Sequence, residues 1–204
     1  MGYSYEMFFD IERLSLPKGA RVLDLGSQDI NIGSPDVLDA VNRFIAQYAD
    51  DRLPESIIGT MIEAAEIWQM AGFDHRCIDF DDRPHTLRVD LQNFVFPTEL
   101  RGQFDLVTNM GTTEHLASPM VGLALMHYAC KVGGAMFTDT PIFGFGNHGL
   151  ANLTPKFWHQ LSLFNRYKVA ICRLRKCDES LFDPGNIYHS DMAYMEGLQD
   201  ARNL

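Results

Sequence analysis

Arg21-Val22-Leu23-Asp24-Leu25-Gly26 is the stretch that decides the fold. A short apolar run reaches an acid and then a glycine. A second run, His75-Arg76-Cys77-Ile78, likewise ends in Asp79-Phe80-Asp81-Asp82. Glycine has no Cβ, so the chain can turn sharply there and a ligand can come close to the backbone. In doubly wound α/β sheets the ligand crevice opens at the carboxyl ends of the strands, where these residues fall.

Outward from that stretch, strand and helix signals alternate as βαβ architecture requires. Arg21 to Leu25 reads as the first strand. Ser34-Pro35 offers an N-cap and a proline in the first helical turn, followed by Val37, Leu38, Val41, Phe44, Ile45 and Tyr48 at helical spacing. Ile57, Ile58, Met61, Ile62, Ala65 and Trp68 predict a second helix, ended by Gly72. This extra helix is open to three uses: a pocket wall, a subunit contact in a homo-oligomer, or packing alone. Further strands are expected at His75–Ile78, Thr86–Val89 (ending in Asp90), Phe104–Thr108 (ending in Asn109), Ala135–Thr138 and Tyr167–Leu174. Ser118-Pro119 caps a helix running through Lys131 and stopped by Gly133-Gly134, and Thr154-Pro155 starts one over Lys156–Asn165. Asp183-Pro184-Gly185-Asn186 reads as a turn, and Tyr188–Met195 as a strand or a short helix. The expected class is a Rossmann-like, doubly wound α/β fold with a mostly parallel sheet and helices on both faces. It forms one domain over residues 1–204, with an N-terminal extension at 1–19 and a poorly defined segment at 177–204.

Composition narrows the function. Seventeen basic residues against 27 acidic ones give a formal charge of −10, and no basic stripe is evident, so a nucleic-acid backbone is a poor partner. No apolar run approaches the ~18 residues of a membrane span. The N-terminus lacks the basic start and apolar stretch of a secretory signal, so a cytoplasmic location is expected. Cys77, Cys130, Cys172 and Cys177 form no CxxC pair, which reads as reduced core thiols rather than a zinc site.

The four strand ends carry Asp24, Asp79, Asp90 and Asn109. A carboxylate after the second strand suits the hydroxyls of a ribose. The loop after the first strand, Gly26-Ser27-Gln28-Asp29-Ile30-Asn31-Ile32-Gly33, lacks the later glycines of a dinucleotide fingerprint, and Asp29 would repel a phosphate. A ligand with a ribose and a cation but no phosphate fits better, and S-adenosylmethionine is such a ligand.

At this point the chain resembles class I S-adenosylmethionine-dependent methyltransferases over roughly residues 20–175. The resemblance rests on Val22-Leu23-Asp24-Leu25-Gly26-Ser27, Ile78-Asp79, Val89-Asp90-Leu91, Phe104-Asp105-Leu106-Val107-Thr108-Asn109, Glu114-His115-Leu116 and Lys131-Val132-Gly133-Gly134. Asn147-His148-Gly149 with Asn152-Leu153-Thr154-Pro155-Lys156-Phe157-Trp158 looks like a loop and helix of bacterial members that modify carbohydrates and natural products. The departure is Gln28, which stands where the usual second glycine would be. The resemblance implies that Asp24, Gly26, Ser27 and Gln28 border the methionine end and that Asp79 holds the ribose, with Asp81 and Asp82 competing for that role. It further implies Phe80 along the adenine, Asp90 and the Leu91 backbone at the adenine amino group, and Asn109, Met110, Gly111 and Thr112 beneath the sulfonium.

The implied activity is methyl transfer to a small-molecule acceptor, a sugar or sugar-containing metabolite. The alternatives are natural-product O- or N-methylation and a catalytically silent nucleoside-binding module. An oxygen or nitrogen acceptor calls for a base near neutrality, which histidine supplies. His148 in its glycine-rich loop is the expected base, and His115 an orienting residue. Glu114 is its partner, either as an ion pair or as a shared metal ligand. No metal is expected, because no third ligand stands at useful spacing in the sequence. Phe143, Phe145, Phe157 and Trp158 offer an aromatic wall for the acceptor, though Phe157 and Trp158 equally suit the buried face of a helix.

Overall fold

A computed structural model of the chain describes residues 2–93, 95–96, 98–143, 148–172, 174–176 and 191–193. In chain order its elements are α1 (Tyr5–Glu12), β1 (Arg21–Leu25), β2 (Asp29–Asn31), α2 (Pro35–Tyr48), β3 (Met61–Glu63), α3 (Ala64–Met70) and β4 (Asp74–Asp79). They continue with β5 (Thr86–Arg88), β6 (Phe104–Met110), α4 (Pro119–Ala129), β7 (Cys130–Phe143), α5 (Pro155–Asn165), β8 (Leu174–Lys176) and β9 (Asp191–Ala193). The residues group into two compact units, 1–110 with 120–137 and 111–119 with 138–204.

The first unit holds a mostly parallel sheet in the order β5-β4-β1-β6-β7. β1 pairs in parallel with β4 on one side and β6 on the other, and Asp24 lies in register with Cys77 and Thr108. A central parallel strand is covered on both faces, and Val22, Leu23 and Leu25 are each at most 1% exposed. α2 begins where Ser34 accepts the Val37 N–H and Pro35 takes the first turn. Its Leu38, Val41, Phe44 and Ile45 face inward at helical spacing. Phe44 meets Trp68 edge-on with ring centres 5.4 Å apart and Phe8 at 4.9 Å. Phe8 belongs to the expected N-terminal extension, which is therefore part of the core: α1 buries Met7, Phe8 and Ile11.

Two expected helices are corrected here. The helix over Ile57–Trp68 exists only from Ala64 onward. Gly59 takes a φ of 88°, and the segment around it bonds instead to the residue after β2, through Gly59 N–H to Ile32 O and Ile32 N–H to Thr60 O. Met61 and Ile62 then sit in β3, antiparallel to β2, with Met61 65% exposed. Their apolar spacing matched a helix that the left-handed glycine does not allow. The helix after Ser118 ends at Ala129, and β7 runs straight through Gly133-Gly134. Gly134 is needed there because a Cβ would lie 2.9 Å from both the Asp105 carbonyl and the Cys130 sulfur.

In the second unit the end of β7 pairs antiparallel with β9, and β9 with β8. α5 is capped by Thr154, whose hydroxyl accepts the Phe157 N–H. The expected strand over Tyr167–Leu174 is displaced, since 167–172 is not extended into a ladder and β8 starts at Leu174. The expected turn at Asp183–Asn186 lies outside the described residues, as do Gly144–Asn147, Cys177 and most of Tyr188–Met195. No described helix is long and apolar enough to cross a membrane.

Candidate functional site

Two acids that look alike in sequence have opposite surroundings in the first unit. Asp24 is 0% exposed. Its Oδ1 accepts the Tyr3 hydroxyl at 2.8 Å and the Thr108 hydroxyl, and His75 Nε2 lies 3.0 Å from Oδ2. Burial, reinforced by the Asp24 charge, holds the Tyr3 phenol well above its usual pKa, so it stays a donor. Asp24 therefore ties β1 to β4, β6 and the N-terminal segment and shows no surface to a ligand. Asn109 and Met110, expected beneath a sulfonium, are likewise 0% and 1% exposed, and Leu91 is 6% exposed.

Asp79 sits at the surface end of β4. One oxygen accepts the Ser27 N–H at 2.7 Å and the other accepts its neighbour Phe80 N–H at 2.5 Å. Gly26, at φ 87°, carries the chain out of β1 with its N–H on the Ile78 carbonyl, which brings Ser27 to Asp79. The Ser27 hydroxyl donates to Asp81 at 2.9 Å and lies 2.9 Å from the Thr86 hydroxyl. Phe80 is 69% exposed, with the Arg88 guanidinium 5.6 Å from its ring centre. Asp29 is engaged by Arg83 through two hydrogen bonds of 2.7 and 3.2 Å, and Arg83 also reaches Asp81. Gln28, at the position of the missing glycine, is turned inward, 7% exposed. Its Nε2 points to the Leu25 carbonyl, and its own carbonyl accepts the Ala64 N–H. Asp90 is exposed but bound into its own turn by the Gln92 N–H and the Asn93 amide, which hold its carboxyl below the usual range. The structure thus groups Gly26, Ser27, Asp79, Phe80 and Asp81, and leaves Asp24 and Asp90 occupied by other partners.

The second unit carries the expected acceptor-side residues. Gly111, at φ 78°, donates its N–H to the Asp139 carbonyl, and Thr113–His115 form a single 3₁₀ turn. Glu114 is buried, and His148 Nε2 stands 4.0 Å from its Oε1. Burial pushes the Glu114 carboxyl up to about 7, with Asp139 adding in the same direction. The His115 and His148 rings meet edge-on at 4.8 Å. Burial lowers both imidazoles, and for His148 the neighbouring His115 charge lowers it further. Phe157 and Trp158 are half-buried and touch at 5.2 Å. Phe145 and the side chain of Phe143 lie outside the described residues.

Three positions escaped the sequence reading. Tyr3, His75 and Thr108 close around Asp24, and only the strand register, which places Thr108 beside Asp24, would have signalled one of them. His148 as a third neighbour of Glu114 and His115 had no signal at all, because α4 and β7 intervene.

No protein-family model matches this sequence, and no curated protein matches it. Among solved structures, a candidate sarcosine dimethylglycine methyltransferase from Galdieria sulphuraria aligns with a TM-score of 0.53 at 10% identity, over 93% of this chain and 83% of its own. This chain shares the fold of that enzyme. Two further matches have lower scores. The 1,6-didemethyltoxoflavin-N1-methyltransferase of Burkholderia thailandensis, solved with S-adenosylhomocysteine bound, scores 0.48 at 12% identity, over 93% of this chain and 76% of its own. An S-adenosylmethionine-dependent methyltransferase from Mesorhizobium loti scores 0.47 at 13% identity, over 94% and 98%. At such identities the likeness speaks for the fold, and the chemistry rests on the residues.

Proposed function

We propose that this chain is an S-adenosylmethionine-dependent methyltransferase that acts on a small molecule. The carrying observation is Asp79, a surface carboxylate pinned by the Ser27 and Phe80 amides beside an exposed aromatic ring. Each carboxylate oxygen has two lone pairs. One amide on each therefore leaves capacity for the two hydroxyls of a ribose, and the residues fit an adenosine on this test. Asp79 would hold the ribose, Phe80 would lie along the adenine, and Gly26 with Ser27 would border the methionine end. When bound, the cofactor supplies a methyl group on a cationic sulfur. The protein's part is to align that carbon with the acceptor atom and exclude water.

On the acceptor side, the Glu114–His115–His148 cluster handles the acceptor's proton. The half-buried Phe157 and Trp158 support a sugar or sugar-containing acceptor, because aromatic faces stack on sugar rings. A second reading, a silent nucleoside-binding module, is favoured by the inward-turned Gln28 at the usual glycine position. Calorimetry with S-adenosylmethionine and S-adenosylhomocysteine, followed by methyl-release assays on sugars and on phenolic and amine natural products, separates the two. Binding of both ligands with turnover on a sugar is the expected result. Binding with no turnover on any acceptor supports the module, and no binding by folded protein removes the cofactor assignment.

A further inference from the structure

Glu114, His115 and His148 converge although α4 and β7 separate the two histidines in sequence. One ligand-type atom from each lies within 4.8 Å of the others. The Glu114 side chain is 1% exposed, and neither of its oxygens has a hydrogen-bond partner. A buried carboxylate without partners is strongly unfavourable unless a cation or donor compensates it. The backbone nevertheless fixes it there. Leu150 and Ala151 both donate their N–H groups to the Glu114 carbonyl, at 2.6 and 3.1 Å. A Cβ on Gly149 would come within 2.9 Å of the Glu114 Cβ, Cγ and carbonyl oxygen, so only glycine lets the His148 loop lie this close.

We propose that these three side chains bind a divalent first-row transition-metal ion. Two imidazoles and a carboxylate form a donor set suited to zinc, cobalt or iron rather than to magnesium or calcium. Nitrogen and oxygen ligands around a tetrahedral zinc stand about 3.3–3.6 Å apart. The 4.0 Å between His148 Nε2 and Glu114 Oε1 therefore needs only a small side-chain adjustment. Glu114 forms the floor, while the exposed His115 and half-buried His148 leave the ion reachable from solvent. Three protein ligands keep a coordination position open, the pattern of a catalytic ion rather than a structural one. An acceptor hydroxyl placed there would lose its proton to solvent near neutral pH. The Nε2 lone pair of His148 then goes to the metal, and His148 is a ligand instead of the base expected from sequence.

The other cluster with ligand-like spacing, Asp24–His75–Cys77, does not compete. The Asp24 oxygens already take Tyr3, Thr108 and His75.

The test uses the full, tag-free chain stripped with a chelator and titrated with Zn²⁺ by calorimetry and with Co²⁺ by visible absorption. The expected result is one ion per chain. Removing a group that only orients a metal ligand weakens metal sites by ~10–100-fold, so Glu114→Gln and His148→Ala should each weaken binding by at least ~100-fold. Their S-adenosylhomocysteine affinity should stay within about threefold of the parent's. No stoichiometric ion, or an ion held equally well by either variant, overturns the site. If Glu114→Gln fails to fold, the exposed His115→Ala decides: undiminished metal affinity in that variant also overturns it. The readout needs neither cofactor nor acceptor, so this proposal and the methyl-transfer reading can fail separately.

Discussion

Asp24 and Asp79 each close a strand of the same parallel sheet, yet the first is sealed from solvent and the second stands at its rim. Asp24 takes its hydrogen bonds from three side chains drawn from the N-terminal segment, β4 and β6. Asp79 takes its own from two backbone amides in the loops that immediately follow β1 and β4. The first arrangement ties distant parts of the chain together and leaves nothing to offer a ligand. The second fixes the carboxylate's direction while leaving lone pairs open. Two acids at neighbouring strand ends thus differ in what they can offer a ligand, because side chains use up the first while backbone amides leave lone pairs on the second.

The sharpest way to break this comparison is Asp24→Asn. It replaces a carboxylate oxygen with an amide donor inside a fully buried cluster where the Tyr3 and Thr108 hydroxyls donate and the His75 ring approaches. Removing one partner of a buried pair destabilises by about 3–5 kcal/mol. Urea unfolding should show a loss in that range, with near-parental S-adenosylhomocysteine affinity in whatever folds. A stable variant with lost affinity would reverse the roles of the two acids.

Asp79→Ala should do the opposite. Loss of a charge-assisted hydrogen bond weakens cofactor binding by about 1.5–3 kcal/mol, while the melting temperature stays close to the parent's. Unchanged affinity would move the ribose to Asp81, which accepts the hydroxyl of the same Ser27 whose N–H donates to Asp79.

Gly26→Ala sharpens the comparison between them. A side chain at a φ of 87° strains the backbone, by about 1–2 kcal/mol for the left-handed region. Calorimetry on the folded variant should show weaker cofactor binding as well. Normal affinity would place the ligand away from this turn.

The smallest expected effect is a pH dependence at the opposite end of β6. Burial alone would raise the Asp105 carboxyl, but the Lys131 ammonium at 2.7 Å and the Arg21 N–H outweigh it and hold it low. A folded pKa below the unfolded one contributes stability that is complete above the unfolded value, about 3.9. That contribution is lost as pH falls through the folded value. With Lys131 partly exposed the effect should stay under about 1 kcal/mol. The stability gap between parent and Asp105→Asn should be constant from pH 5 to 7 (roughly) and close below about 4. A gap that widens in acid would contradict the pairing.

The parallel strands were legible because a strand buried on both faces reads as a short apolar run, as at Val22-Leu23 and Leu106-Val107. Capped helices were legible too, since Ser34-Pro35 and Thr154-Pro155 announce themselves locally. The stretch at Ile57–Ile62 misled because its periodicity is real while its burial is not. Glycine conformation and pairing with β2, both set by tertiary structure, decided the outcome there. In the candidate site, the placement of Asp79 and Phe80 at the end of β4 followed from the sequence. The depth of Asp24 did not, since it depends on Tyr3 and Thr108, far away on either side in sequence. The same holds for the company Glu114 keeps, because only folding brings the His148 loop back to it.

The Tyr3 hydroxyl has a consequence for how the chain comes together. Its partners include Thr108, 105 residues further along. Tyr3 and Phe8 can pack against Trp68 and Phe44, and Tyr3 can reach Asp24, without β6, but the Thr108 contact waits until β6 lies beside β1. Closing so long a loop is slow relative to local contacts. The hydrogen bonds around Asp24 are therefore completed only when β6 joins the sheet, and a partly folded chain without β6 leaves this acid short of the Thr108 hydroxyl.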